Sequence, residues 1–231
     1  MDPVWLDILL DGYRHRQCVV AVVRFGVSHN FTGPRVPNIE STRNHASARE
    51  FDRALVRSIA DGQAQGAYLV LDIPDSSIND RSTQSELPDL DYDSVRRIAR
   101  QIEALAERHP TLKVKLLKED VKSALRLIAV AAGLAAHFSG STRDLAVIDL
   151  ALPFGWTGSP PFYRAFGEGI SFLVARESPN SLDPSDSDKE PFFSFVWVDD
   201  HILLEVDKRN RLVLAESALR LSMLAVLGQT S

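Results

Sequence analysis

The chain has 231 residues, 45% hydrophobic and 25% charged, enough to bury one large core or two small ones. Its formal net charge of −5 excludes a protein that coats nucleic acid or an anionic membrane by charge alone. A single cysteine, Cys18, excludes an intramolecular disulfide framework, and the six histidines show no zinc-ligand spacing.

The N-terminal stretch MDPVWLDILLDGYRHR lacks the basic start and small-residue cleavage site of a signal peptide. The longest apolar and Gly run, LIAVAAGLAA at 127–136, is far short of the ~20 residues a membrane helix needs. The expectation is an intracellular protein of cytoplasm or nucleus, with no membrane partner. No internal period repeats, which sets aside solenoids and propellers.

The first helix expected is SAREFDRALVRSIADG, with Ser47 and Glu50 as a capping box, Phe51, Leu55 and Ile59 on one face, and Gly62 as its stop. YLVLD then reads as a short strand. DSVRRIARQIEALAERHP is a second helix whose apolar stripe is Val95, Ile98, Ile102 and Leu105, stopped by Pro110. Past Pro110 the period changes to two: Leu112, Val114 and Leu116 alternate with Lys113 and Lys115, a strand that delivers Glu119 and Asp120 at its end.

VKSALRLIAV reads as helical, LAVIDLALPF as a buried strand, and GWTGSPP as a Gly/Pro turn. Phe162, Phe166, Ile170 and Leu173 then predict a helix with one face on a sheet. SPNSLDPSDSDKE, acidic and aperiodic, reads as a mobile surface loop over 178–190. FFSFVWVDDHILLEV is a hairpin with Asp199 and Asp200 at its tip. A last helix has Leu212, Ala215, Leu219, Met223 and Val226 inward and Gly228 as its stop. Helices alternate with mostly antiparallel strands without a βαβ rhythm, so the expected class is α+β.

No P-loop, dinucleotide-binding loop or recognisable Ser, Cys or Lys nucleophile is present. The chemistry-bearing candidates are carboxylates at strand ends: Asp120, and Asp199 with Asp200. Asp is also a favoured turn residue, so an Asp pair at a hairpin tip has a purely conformational reading. The alternative is a metal site, since three acids from neighbouring strands could hold two Mg²⁺ ions, which take hard oxygen ligands and clamp the oxygens of phosphoryl transfer.

Taken in order, these segments resemble the palm of a reverse transcriptase from a retrotransposon of the LTR or tyrosine-recombinase (DIRS-like) type. LLKEDVKSAL (116–125) resembles the first catalytic motif, LPFGWTGSP (152–160) the second, and WVDDHI (197–202) the Tyr-x-Asp-Asp motif. INDRSTQSELPDLDY resembles the Asn/Thr/Leu-Pro segment upstream of the first motif.

The resemblance implies a palm with an antiparallel sheet and packed helices, a residual fingers-like region at 1–90, a palm-like region at 91–231, and no thumb. It implies that Asp120, Asp199 and Asp200 are catalytic and bind two Mg²⁺ or Mn²⁺ ions, with the backbone carbonyl of Val121 completing one shell. Leu125, Pro153, Phe154, Gly155 and Trp156 would lie along the incoming nucleotide and template; for the two aromatics, plain core packing is the competing reading.

The departures are Leu125 where the family has the aromatic that screens the ribose 2′-OH, Trp197 for Tyr, and LVLDIPDSSIND where a basic fingers hairpin is expected. The chain also stops at AVLGQTS, before the family's Lys-bearing motif and thumb. The readings that follow are an RNA-directed DNA polymerase acting on template-primer and deoxynucleotides, with synthesis impaired by truncation; an inactive remnant that serves as an interaction or nucleic-acid-binding domain; and an unrelated metal-dependent phosphotransferase.

Overall fold

A computed structural model of the chain describes residues 1–28, 50–72, 87–88, 92–142 and 145–228. The elements in chain order are α1 (Pro3–Leu9), α2 (Arg16–Phe25), α3 (Asp52–Ala64), β1 (Tyr68–Asp72), α4 (Val95–Arg108), β2 (Val114–Asp120), β3 (Ser139–Thr142), β4 (Leu145–Asp149), α5 (Ser159–Val174), α6 (Pro179–Leu182), β5 (Ser194–Trp197), β6 (Asp200–Val206) and α7 (Arg211–Leu227). Two 3-10 turns lie at Ala124–Leu127 and Ala132–His137. The class is α+β, with two three-stranded antiparallel sheets. Contacts gather the chain into two compact units: Met1–Val23, Pro88–Ala124 and Pro160–Ser231 form one; Arg24–Leu87 and Leu125–Ser159 form the other.

The second unit carries the sheet β1-β4-β3. Helix α3 leads into β1, but Gly62 does not end it. The helix runs on to Ala64, and Gly66, at φ +71°, makes the reversal that a left-handed residue makes cheaply. Gly62 instead lies under the Tyr68 ring, whose Cδ2 would stand 2.2 Å from an added Cβ. The expected Ser47 cap and most of the segment 78–92 lie outside the described residues.

VKSALRLIAV is not an α-helix. Ser123 has φ +56°, Ala124–Leu127 makes a single 3-10 turn, and the β-branched Val130 then bridges Val27 while Ala129 bridges Ala151. Gly26 permits that bridge: a Cβ there would stand 2.4 Å from the Ala131 nitrogen. On this sheet Arg126 pairs with Asp149, donates to the Tyr68 hydroxyl at 2.5 Å and lies 4.6 Å from the Tyr68 ring centroid.

The first unit carries the sheet β2-β6-β5. Ser94 caps α4 by accepting the Arg97 N–H, and the helix ends at Arg108, just before Pro110. Its buried stripe is shorter than the spacing predicts: Leu105 is buried and Ile98 packs beside it, but Val95 is 75% exposed. The helix covers the sheet face formed by Val114, Phe195, Ile202, Leu204 and Val206. Leu116 shares that face by alternation yet is exposed, because β2 is an edge strand.

The opposite face holds Val196, His201, Leu203 and Glu205, all buried. Helix α5 meets it at Gly167, where an added Cβ would lie 3.0 Å from Val196 Cγ2. α5 buries Phe162, Phe166 and Ile170 as expected, but also Tyr163, Arg164 and Ala165, so it is enclosed on nearly every side rather than on one face. In α7, Ala215, Leu219, Met223 and Val226 are buried and Gly228, at φ +76°, closes the helix as the sequence predicts.

The segment 178–190 is built rather than loose. Ser178 and Ser181 form a reciprocal capping box at α6, and Asp183, Asp186 and Asp188 each accept a backbone N–H two residues on, or pair with a cation. Asp188 pairs with Lys208 and Arg211, and Glu190 with Arg108. Arg211, 2% exposed, also donates to Glu205 and to the carbonyls of Glu190 and Pro191. Glu205, wholly buried, accepts the Phe193 N–H as well at 2.9 Å. The acidic composition hides a set of partners that lie outside the segment, Arg108 before it and Lys208, Arg209 and Arg211 after it.

No described helix is long and apolar enough to cross a membrane.

Burial pushes the Glu205 carboxyl up to about 7 from an ordinary 4.5, with Arg211 opposing the shift. A folded-state value above the unfolded one means this group's contribution is greatest below pH 4.5 and is lost as pH rises through about 7. Removing the countercharge drives the carboxyl higher still. Arg211→Met should therefore lower stability by about 3–5 kcal/mol, with the deficit in urea denaturation larger at pH 8 than at pH 5.

Candidate metal centre

The antiparallel register of β2 with β6 sets Asp120 opposite Asp200, and that of β5 with β6 sets Trp197 opposite Asp200. The turn residues are therefore Val198 and Asp199; Asp200 is the first residue of β6 rather than half of the tip. The Val121 N–H donates to the Asp199 carbonyl at 3.0 Å and ties the chain leaving β2 to that turn. Asp120, Asp199 and Asp200 each offer a carboxylate oxygen, and the three oxygens lie within 4.8 Å of one another.

Three carboxylates this close repel one another unless a cation opposes them. Lys118 supplies one positive charge: its Nζ is 2.8 Å from Asp200 Oδ2. It stands two residues before Asp120, so both project from one face of β2, Asp120 directly opposite Asp200 and Lys118 diagonal to it. The hydrogen bond to Asp200 first, and then the charges of all three acids, raise the Lys118 pKa. Asp120 is exposed and the other two acids are half-buried, so the cluster is open to solvent. Its donors are hard oxygens only, which suits Mg²⁺ or Mn²⁺ over softer metals.

The Val121 carbonyl, expected to face an ion, accepts the Ala124 N–H at 3.2 Å, which leaves it one lone pair. The turn is strained at Val198, whose φ is +54°; a β-branched side chain in the left-handed region costs about 1–3 kcal/mol. Something must hold it there.

That restraint comes from the backbone of Val196. Its carbonyl accepts from Arg164 Nη1 at 2.5 Å and its N–H donates to Asp93 Oδ2 at 3.0 Å, so the outer edge of β5 is closed by two buried charged groups. Arg164 also pairs with Glu168 at 2.8 Å and lies 5.2 Å from the Tyr92 ring centroid; Glu168 in turn takes Arg14. Tyr92 packs on Trp197 at 5.5 Å, ring to ring. The turn thus extends from an anchored residue, one position before Trp197.

Two further groups flank the cluster. His201, between Asp200 and Ile202, is fully buried, and among the described residues neither ring nitrogen has a hydrogen-bond partner; burial first, then the charge of Arg164, lower its pKa to about 4, so it is neutral near pH 7. Tyr163 of α5 is also fully buried, and burial and then the charges of Asp199 and Asp120 raise its pKa.

The other residues expected at this site belong to the second compact unit. Leu125 lies within the 3-10 turn Ala124–Leu127 and is half-buried. Pro153 is buried and its carbonyl accepts from Ser159 Oγ at 2.7 Å. Gly155 has φ +90° and open space on its Cβ side. Trp156 packs on Phe138 at 5.0 Å, in keeping with the core-packing reading, whereas Phe154 is 77% exposed with Arg126 5.9 Å from its ring centroid.

No family model matches the sequence, and no curated protein matches it either.

Asp93, Lys118, Tyr163, Arg164 and His201 were not legible as site residues. Arg164 carried a signal, since a charged residue inside SPPFYRAFGEGISFLV stands within a helix otherwise rich in apolar residues. Lys118 also did, as the cation two residues before the first acid.

Because Lys118 already neutralises part of the cluster, its removal should favour an added cation. Lys118→Met should raise Mn²⁺ affinity by about two- to fivefold, read from the free-Mn²⁺ signal in electron paramagnetic resonance titrations. A fall in affinity would show that the lysine supports the acids rather than competing for them.

Proposed function

We propose that the first unit is a reverse-transcriptase-like palm whose acid cluster binds divalent cations for template-directed nucleotidyl transfer. The observation that carries this reading is the convergence of Asp120, Asp199 and Asp200 from the ends of neighbouring antiparallel strands, with ligand oxygens within 4.8 Å. In this reading Asp120 and Asp199 would hold the ions and Asp200 would support them, the order in which the motif resemblance casts them.

Mg²⁺ or Mn²⁺ held there would stabilise charge on the attacking primer 3′-oxygen and on the leaving pyrophosphate. The chain's own residues position the cluster. Arg164 and Asp93 fix the strand before the turn, Val121 fastens the turn to β2, and Trp197 on Tyr92 forms an apolar wall beside Asp200. His201, neutral and enclosed, neither adds charge to the cluster nor serves as an acid near pH 7. An intracellular setting and an RNA or DNA template-primer go with this assignment.

A second reading has its own observation. Lys118 at 2.8 Å from Asp200 gives the cluster an internal cation, as a palm that keeps its fold without synthesis would need. The chain would then be a retroelement remnant acting through binding alone.

Primer extension on an RNA template with Mg²⁺ or Mn²⁺ separates the two. Under the polymerase reading the parent extends the primer, chelation stops it, and Asp199→Ala loses on the order of 100-fold or more in rate. If neither chain extends a primer, the remnant reading stands in its place.

A further inference from the structure

The Tyr163 side chain is fully buried, and among the described residues its hydroxyl has no hydrogen-bond partner. Native interiors rarely leave such a group unpaired, because a buried donor that has lost water and gained nothing costs free energy. A group of this kind marks a strain reservoir, a functional role, or a water or ion that completes it.

The surroundings indicate which of these applies. The point where a Gly167 Cβ would stand is 3.9 Å from Tyr163 Cε1, 3.8 Å from the Val198 carbonyl oxygen and 3.0 Å from Val196 Cγ2. Cε1, the ring carbon next to the one that bears the hydroxyl, therefore shares one small region with the Val196 side chain and the Val198 carbonyl, just before Asp199 in the chain. Asp199 and, after it, Asp120 oppose ionisation of the hydroxyl, so of the three acids Asp199 acts on it most strongly. Asp199 follows the strained Val198 and belongs to the turn rather than to a strand, which leaves its carboxylate freer to reorient than that of Asp200.

We infer that Tyr163 is a positioning residue for the acid cluster, donating its hydroxyl hydrogen to the Asp199 carboxylate when the cluster holds a divalent cation. This rests on the metal-site reading above. The donor would fix the carboxylate's orientation from behind, as outer partners of metal ligands do, and touches neither the ion nor a substrate. Its burial keeps water from competing for the bond, and an uncharged hydroxyl leaves the negative charge of the cluster intact.

Tyr163→Phe tests this without disturbing packing, since the ring is retained. Mn²⁺ binding by electron paramagnetic resonance and metal-free thermal unfolding are measured on the parent, Tyr163→Phe and Asp199→Ala chains. The expected result is Mn²⁺ affinity about 10-fold weaker in Tyr163→Phe, with a metal-free Tm equal to or above the parent's because an unpaired group has been removed. Equal affinity in parent and Tyr163→Phe, with Asp199→Ala weakened, overturns this inference and leaves the metal site standing. A lower metal-free Tm in Tyr163→Phe also overturns it, by revealing that the hydroxyl already has a structural role. Absence of Mn²⁺ binding by the parent overturns the metal site and the inference together.

Discussion

The first unit depends on how the free edge of its sheet is closed. An edge strand exposes a row of unsatisfied backbone groups. At Val196 the carbonyl is taken by Arg164 and the N–H by Asp93, both nearly inaccessible to water. Burying a guanidinium and a carboxylate is costly unless each is matched, and here Glu168, Arg97 and Tyr92 complete the matching. The arrangement joins Asp93, next to the Ser94 cap of α4, the middle of α5 and the strand before the acidic turn. A turn that contains a β-branched residue at positive φ can persist only because its approach is fixed in this way.

The other end of the same sheet is held by a different charged group. Arg211 opens α7 and spreads its guanidinium over Glu205, Asp188 and two carbonyls of the segment that precedes β5. The acidic stretch is thus a strap in which Asp188 meets Arg211 and Lys208, Glu190 meets Arg108, and Asp186 meets Arg209. Both clusters act on β5 and β6, one beside the turn and one at the far end, while the aliphatic residues under α4 fill the middle. The acids near the turn are the exception to this matching, since among the described residues three carboxylates share one lysine.

What could be read from the sequence followed from how local the determinant was. Helices α4, α5 and α7 and the hairpin were legible because periodicity, caps and stops are carried within each segment. The three acids were legible as a group because each stands at the end of an apolar strand. VKSALRLIAV misled because its composition favours a helix while a left-handed Ser123 and bridges to Val27 and Ala151 impose extended backbone. The acidic segment misled for a similar reason, since composition reports charge but not the arginines that meet it. The partners of Val196 lay beyond reach, with Asp93 more than 100 positions from the strand it closes. Lys118 was visible but unread, since its role depends on which residue lies diagonally across the ladder.

That diagonal makes strand register the variable that defines the cluster. In β2, Lys118 and Asp120 share a face with Asp200 only because Asp120 is level with it. One residue inserted between 114 and 119 would rotate the strand's pattern by half a period and offer Glu119 where Asp120 now stands, and one deleted would offer Val121. The exposed side of β2 tolerates changes of side chain readily, but its length admits none. In a drifting gene the spacing between Val114 and Asp120 would therefore be a more sensitive record of whether the acids still serve a purpose than the acids themselves.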